Sequence, residues 1–339
     1  MELITNNLNV VWFILVFVLF AGFFLLEGFD YGTGILLPFT GKSDIQRRQM
    51  INALGPVWDS NQVWMITAGG AMFASFPHVY ATLFSGFYLA LFLMLAALIA
   101  RGVAFEFRSK SANPAWRKVF DYCIFFGSLI PALLWGVTVG NLIQGTPIDA
   151  TMTYVGSFWD LLSPYTILCG IAFILVFTYH GGLFTAIKTA GEVAERARAA
   201  SLVVGVFTAI GAILLAVATA IFTDMFHSTL AIVFYVVAVV CFLISWFAAR
   251  TRNTKIGFLF SSLTVIMITA AYFAGLFPRI MVSSLNPAWS LTIDNASSSP
   301  YTLALMTVVA LVFVPIVLIY KIWTYYTFRN RVSEQDLHY

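Results

Sequence analysis

Seven residues in the first third of the chain have types and spacings suited to handling protons or charge. Glu27 and Asp30 stand three apart, so on a helix they share a face. The segment Trp58-Asp59-Ser60-Asn61-Gln62 sets a carboxylate beside amide and indole groups. Arg101 and Glu106 follow within an apolar run. Carboxylates beside one guanidinium could pass protons along a buried path, because each acid can take and release a proton. The same set could form an ion-pair knot, Asp30 or Asp59 with Arg101, locking three helices together. Both readings stay open, and a paired carboxylate can brace and relay at once.

Other chemistries find little support. No HExxH, Walker A or GxGxxG arrangement is present, and nothing resembles a nucleophilic triad. Cys123, Cys169 and Cys241 lie in apolar runs without a CxxC spacing, so they read as small buried hydrophobes. His180 is the one histidine well inside an apolar run, and reads as a neutral side chain bonded to a neighbouring helix. His78, His227 and His338 fall in turns or at the end. One buried histidine cannot make a bis-His haem site, although His/Met ligation stays open.

The elements that hold these residues follow from composition. Of 339 residues, 18 are Lys or Arg and 15 are Asp or Glu, while 60% are hydrophobic. A soluble domain carries roughly 25% charged residues, and so few polar side chains could not cover a soluble fold of this size. A soluble enzyme, a disordered chain and a nucleic-acid binder are excluded. The apolar runs are continuous rather than alternating, which disfavours a membrane barrel. The fold class is therefore all-α, a polytopic membrane protein in one membrane domain spanning 1–339.

A spanning helix needs about 20 mostly apolar residues. Nine runs qualify, at 9–38, 54–76, 79–107, 119–143, 163–187, 200–222, 228–249, 256–277 and 301–326. The second is the most polar, since it holds Asp59, Asn61 and Gln62. The first run is too long for a signal-peptide core and lacks a basic start, so it reads as a membrane helix. Placing the cations in alternate loops and helix ends, Arg101 and Lys321 included, puts 17 of the 18 on one side, with Arg279 alone on the other. The positive-inside rule makes the rich side cytoplasmic. The N-terminus is then outside and the C-terminus inside, which needs an odd number of spans.

By that geometry Asp59 and Arg101 each lie about 10 Å from their cytoplasmic helix ends. Acids and base from three consecutive helices thus share one depth. Trp58, Trp64, Trp116, Trp159, Trp289, Trp323, Tyr325 and Tyr326 sit near run ends and read as an interfacial belt. Gly28 with Gly32, and Gly136 with Gly140, are spaced to let helices approach closely. Glu192, Glu195, Arg196 and Arg198 read as a solvated connector. The loop at about 278–300 is polar and rich in turn residues.

Longer motifs then carry a family resemblance over nearly the whole chain. They are Glu27-Gly28-Phe29-Asp30-Tyr31-Gly32-Thr33-Gly34, Gly55-Pro56-Val57-Trp58-Asp59-Ser60-Asn61-Gln62, Arg101-Gly102-Val103-Ala104-Phe105-Glu106-Phe107-Arg108 and Leu291-Thr292-Ile293-Asp294-Asn295-Ala296. Together they resemble subunit II of cytochrome bd-type quinol oxidases. One departure is Ser60, where that family usually has Gly; its hydroxyl adds a polar group.

The resemblance implies nine helices, arranged as two four-helix bundles plus one peripheral helix, in the bacterial inner membrane. It implies a quinol oxidase that reduces dioxygen to water with protons from the cytoplasm. Haem b and haem d would lie in a partner subunit I and none in this chain. It allows a small single-helix accessory subunit, and a structural quinone or lipid. Asp59 matches the family's acidic path, while Asp30, Trp58 and Arg101 fall on its characteristic motifs. Two other classes stand beside this one: a secondary transporter, which would need broken helices in matching halves, and a scaffold without chemistry. Confinement of the polar cluster to three helices on one side disfavours the transporter.

Overall fold

The computed structural model describes residues 7–335 and 337; His338 lies outside them. Eleven α-helices follow in order: α1 (Leu8–Thr40), α2 (Asp44–Leu54), α3 (Trp58–Ser75), α4 (Pro77–Gly86), α5 (Tyr88–Phe107), α6 (Pro114–Gln144), α7 (Pro164–Lys188), α8 (Gly191–Phe222), α9 (Thr229–Arg250), α10 (Thr254–Leu276) and α11 (Pro300–Thr327). Among the described residues eight helices are long and apolar enough to cross a membrane: α1 and α5 to α11. The second predicted run forms α3, which is not one of the eight because its first turns are polar.

Local sequence explains the boundaries. The spans α6, α7 and α11 each begin with a polar cap followed by proline. Asn113, Ser163 and Ser299 accept from backbone N–H groups of the first turn. Proline then fills the first helical position, where its missing N–H costs nothing. Pro77 separates α3 from α4, since the residue before a proline is driven out of helical geometry. The third predicted run is not one helix: it breaks at Phe87 between α4 and α5. Gly86 precedes the break, and a Cβ there would lie 2.6 Å from the Tyr154 ring, so the 145–163 connection packs onto the chain at this point.

Two segments read as loops are helical. Ser43 and Gln46 form a reciprocal capping box that starts α2. The mixed-charge segment at 192–198 is the first two turns of α8. Its ion pairs, Arg196 with Glu192 and Arg198 with Glu195, are spaced four and three apart, the spacing that supports an exposed helix rather than a loop.

α1 is the central element. It packs against α3, α6, α7 and α10, while α9 pairs with α10 and α7 with α8. At the α1–α7 crossing a Cβ on Gly32 would sit 1.8 Å from the Phe177 carbonyl oxygen. Gly181 faces it and would clash equally with the Gly32 backbone. At the α6–α7 crossing Gly136 meets the Cys169 carbonyl in the same way. The glycine pairs noted in the sequence thus let main chains touch, as membrane helices do where small residues meet. Aromatic rings fill the volume around them, with Phe23 and Phe24 edge-on to Trp135 at 5.0 and 5.7 Å.

The two ends of the bundle are closed differently. At the cation-rich end Arg108 bonds both Asp121 and Asp44, Arg47 bonds Asp121, and Arg117 bonds Asp44. That network ties α2 to the ends of α5 and α6. At the other end the 278–300 segment is a folded cap rather than a free loop. Arg279–Met281 (β1) pairs antiparallel with Leu291–Thr292 (β2), and Leu291, Ile293 and Ala296 are buried. Arg279 clasps Asp224 through both oxygens at 2.8 Å and holds that carboxyl below the usual range.

The glycine contacts generate a paired prediction. Gly32→Val should prevent a stable fold, because the clash is with backbone that cannot move aside; overpacking of even a well-ordered core costs about 1–3 kcal/mol. Gly69→Ala should be tolerated, since a Cβ there meets nothing within 4 Å. Thermal unfolding in mild detergent distinguishes them; equal midpoints would refute the close crossing.

Candidate functional site

The polar residues of α1, α3 and α5 do converge, but not with the partners expected. Glu27, Asp30, Asn61 and Arg101 are each 0% exposed. Arg101 Nη1 donates to Glu27 Oε2 at 3.2 Å. The guanidinium carbon also lies 5.0 Å from the Tyr31 ring centre and 5.2 Å from that of Phe105, so the cation rests between aromatic faces. Gly127 on α6 makes room for it: a Cβ there would fall 2.6 Å from Arg101 Cβ. The expected pairing of Arg101 with Asp30 or Asp59 is therefore corrected to Glu27.

Asp30 is held instead by α3. Asn61 Nδ2 donates to Asp30 Oδ2 at 2.8 Å. The Asn61 carbonyl oxygen in turn accepts from Lys321 Nζ at 2.9 Å and from the Tyr325 hydroxyl at 2.8 Å. Lys321 also donates to Ser60 Oγ at 2.8 Å. The extra hydroxyl noted at Ser60 is thus a lysine acceptor. By sequence Lys321 is one of the 17 cations on the cytoplasmic side, yet it is 8% exposed and reaches into the cluster from α11. Tyr325 is likewise part of the cluster and not of the interfacial belt. The signal for both was a lone lysine inside an apolar run with a tyrosine four residues on, one turn away on the same face.

Asp59 and Glu106 do not join the cluster; both are exposed. Helical geometry explains this. Asp59 is two residues from Asn61, about 200° around the helix, and Glu106 is five from Arg101, about 140° around. If Asn61 and Arg101 face inward, their acidic neighbours must face out. Trp58 is half-buried on Phe105, with ring centres 5.0 Å apart. Trp64 packs onto Gly22 and the aromatic core. Neither of these tryptophans is a belt residue, whereas Trp159, Trp323 and Tyr326 are well exposed.

His180 braces three helices. Its Nε2 bonds the Leu25 carbonyl at 3.1 Å and its Nδ1 meets Ser261 Oγ at 2.7 Å. A carbonyl only accepts, so Nε2 carries the proton and Nδ1 of the neutral ring accepts from the serine. The ring stacks on Phe258 at 4.8 Å. With both nitrogens engaged, His180 is not available as a haem ligand in this arrangement. Among the described residues no cluster of three or more His, Cys, Asp or Glu could hold a metal ion, and the three cysteines are free thiols.

Beside the polar cluster lies an apolar cavity of about 640 Å³, lined by Phe20, Met65, Phe73, Tyr88, Met94 and Leu98 among others. Met65 is one turn from Asn61 and Leu98 nearly one turn from Arg101. The arrangement thus combines an apolar cleft with a charge-compensated knot. Four cluster atoms, Glu27 Oε1, Asp30 Oδ1 and Arg101 Nε and Nη2, have no hydrogen-bond partner among the described residues. The carboxylate oxygens can still accept a proton, and the guanidinium N–H groups can still donate to water.

The ion pair predicts a coupling. Arg101→Met alone should cost about 3–5 kcal/mol by leaving Glu27 buried without its partner, while adding Glu27→Met should restore most of that loss. Denaturation of the single and double variants in detergent measures it. Strict additivity would mean that the two side chains do not pair.

The family described as cytochrome bd terminal oxidase subunit II matches residues 8–328. Cytochrome bd ubiquinol oxidase subunit 2 of Bacillus subtilis is 44% identical, over 97% of this chain and 98% of its own. Cytochrome bd-I ubiquinol oxidase subunit 2 of Escherichia coli K12 is 37% identical, over 97% and 96%. A chain of the bd oxidase from Geobacillus thermodenitrificans has the same fold, with a TM-score of 0.77, covering 96% of this chain and 100% of its own at 16% identity.

Proposed function

The chain belongs to the family of subunit II of cytochrome bd terminal oxidases, a multi-pass membrane component of an oxidoreductase complex, and on that premise we propose its part in the reaction. It is the haem-free subunit of a quinol-oxidising, dioxygen-reducing heterodimer. It supports assembly with the haem-bearing subunit and supplies a route for protons from the cation-rich, cytoplasmic side. Two quinols deliver four electrons to one dioxygen, and four protons complete two waters. The haems of the partner supply the electron chemistry; this chain's residues hold and pass protons.

The observation that carries this reading is the division of the acids between two faces. Glu27 and Asp30 are buried beside Arg101, whereas Asp59 and Glu106 lie on the exposed side of α3 and α5. Both stand at helix ends, second in α3 and last but one in α5, where an exposed carboxylate is suited to meet water at an interface with the partner subunit. In this reading Asp59 relays the proton at that interface. Asp30 and Glu27 support it from within, Arg101 sets the local charge, and Trp58 and Asn61 fix the geometry between them. Glu106 is likewise exposed, on α5.

The same reading counts α3 as a ninth crossing. Its eighteen residues rise about 27 Å, close to the hydrocarbon thickness, and a protein neighbour would shield its polar turns. Nine crossings place the N-terminus outside and the C-terminus in the cytoplasm within one membrane domain. The helices α1, α3, α5 and α6 then form one bundle and α7 to α10 the other, with α11 peripheral. The apolar cavity fits a quinone or lipid tail.

The test is Asp59→Asn in the purified complex. Quinol-driven oxygen uptake should fall by about a hundredfold, the low end for a positioned proton-transfer group, while the reduced-minus-oxidised haem spectrum stays unchanged. Normal uptake in an assembled complex would exclude the relay. Loss of the haem spectrum would assign Asp59 to bracing.

A further inference from the structure

The buried cluster contains one cation that the proposed proton path does not use. α11 is otherwise the most open of the long helices: Ile319 and Ile322 are each 68% exposed and Trp323 61%. Lys321, between them in sequence, is turned inward and 8% exposed. Its ammonium has two oxygen acceptors, Ser60 Oγ and Asn61 Oδ1, and lies 5.8 Å from the Tyr325 ring centre. None of these partners carries a negative charge. An ammonium is expensive at this depth unless anions face it.

The anions are one amide further on. Asn61 takes Lys321 on its carbonyl and gives its N–H to Asp30, so its dipole points from the ammonium toward the carboxylate. Glu27 is engaged by Arg101 on the opposite side. With Arg101 alone, two buried carboxylates would share one cation, and like charges in one site cannot both be held ionised cheaply. With Lys321 present, two acids face two bases and the charges cancel. Ser60 fits this account, since it supplies the second acceptor at the position where the resembled family usually has glycine. The remaining charge acting on the ammonium is Asp59, on the outer side of α3.

We propose that Lys321 is the counter-charge that lets Glu27 and Asp30 be ionised together, acting on Asp30 through Asn61. It is a positioning residue, because it does not touch the reacting groups. Its consequence for turnover rests on the proton path proposed above; the charge pairing itself does not.

Lys321→Met, Lys321→Gln and Lys321→Arg in the assembled complex test it, read by infrared difference spectroscopy and quinol-driven oxygen uptake. The Met and Gln variants should each gain one protonated-carboxyl stretch that shifts in heavy water, and uptake should fall several-fold. Adding Asp30→Asn should remove the new band, and Lys321→Arg should match wild type in both readouts. Gln keeps a donor for Ser60 and Asn61, so it reports the charge alone even if Met disturbs assembly. No new band in the Gln variant overturns the proposal, and a band that survives Asp30→Asn overturns the route through Asn61. A new band with unchanged uptake upholds the counter-charge and counts against the proton path.

Discussion

A charge stays inside an apolar helix bundle only where an opposite charge meets it, and the ion pair between Arg101 and Glu27 imposes that condition on this structure. Both side chains are fully buried, so α1 and α5 must hold them at contact distance. α6 must leave room, which it does with Gly127, and Tyr31 and Phe105 must present ring faces to the guanidinium. Each requirement constrains the packing of a different helix. The aromatic core around Trp135 and the glycine crossings of α1, α6 and α7 supply the rigidity that keeps the pair from relaxing.

The same condition orders the rest of the cluster. Asn61 has one donor group and one acceptor group to offer. It uses the first for Asp30 and the second for Lys321 and Tyr325. A single amide thereby joins α1, α3 and α11, and anchors the inner end of a helix that buries little else. The outer end of α11 is held by another polar contact, from the Trp12 indole to the Leu303 carbonyl and the Thr307 hydroxyl. Between these two anchors α11 is apolar on every side, suited to lipid or to a neighbouring protein.

Burying some acids obliges their near neighbours to face outward, and this links the internal charge network to the external surface. Asp59 and Glu106 are exposed because Asn61 and Arg101 are not. A helix that carries polar groups on both faces cannot also be uniformly apolar, which is why α3 is the most polar of the candidate crossings. The polarity that weakens it as a spanning segment is the property expected of a helix lying between a buried charge network and a protein neighbour.

Low charge content, long apolar runs and lopsided cations determined by themselves that this is an all-α membrane protein, and the motifs around Glu27, Asp59 and Arg101 carried its family. Physical necessity lies behind each of these: backbone groups in lipid must be satisfied within a helix, and chemistry-bearing side chains inside one must be few. Only the tertiary structure decided which acid meets Arg101, that Asp59 faces out, that Lys321 turns in, and that 192–198 is helical. A helix that is hydrophobic all round carries no amphipathic stripe to say which face is internal. Spacing therefore shows which polar residues share a face, while helix packing selects the face that is buried. Lys321 illustrates the gap: its apolar surroundings and Tyr325 one turn on mark it in sequence, but a lysine near a helix end also serves as a cation at the membrane boundary. Its length and the position of Asn61, some 260 residues earlier in the chain, turn it into part of the site.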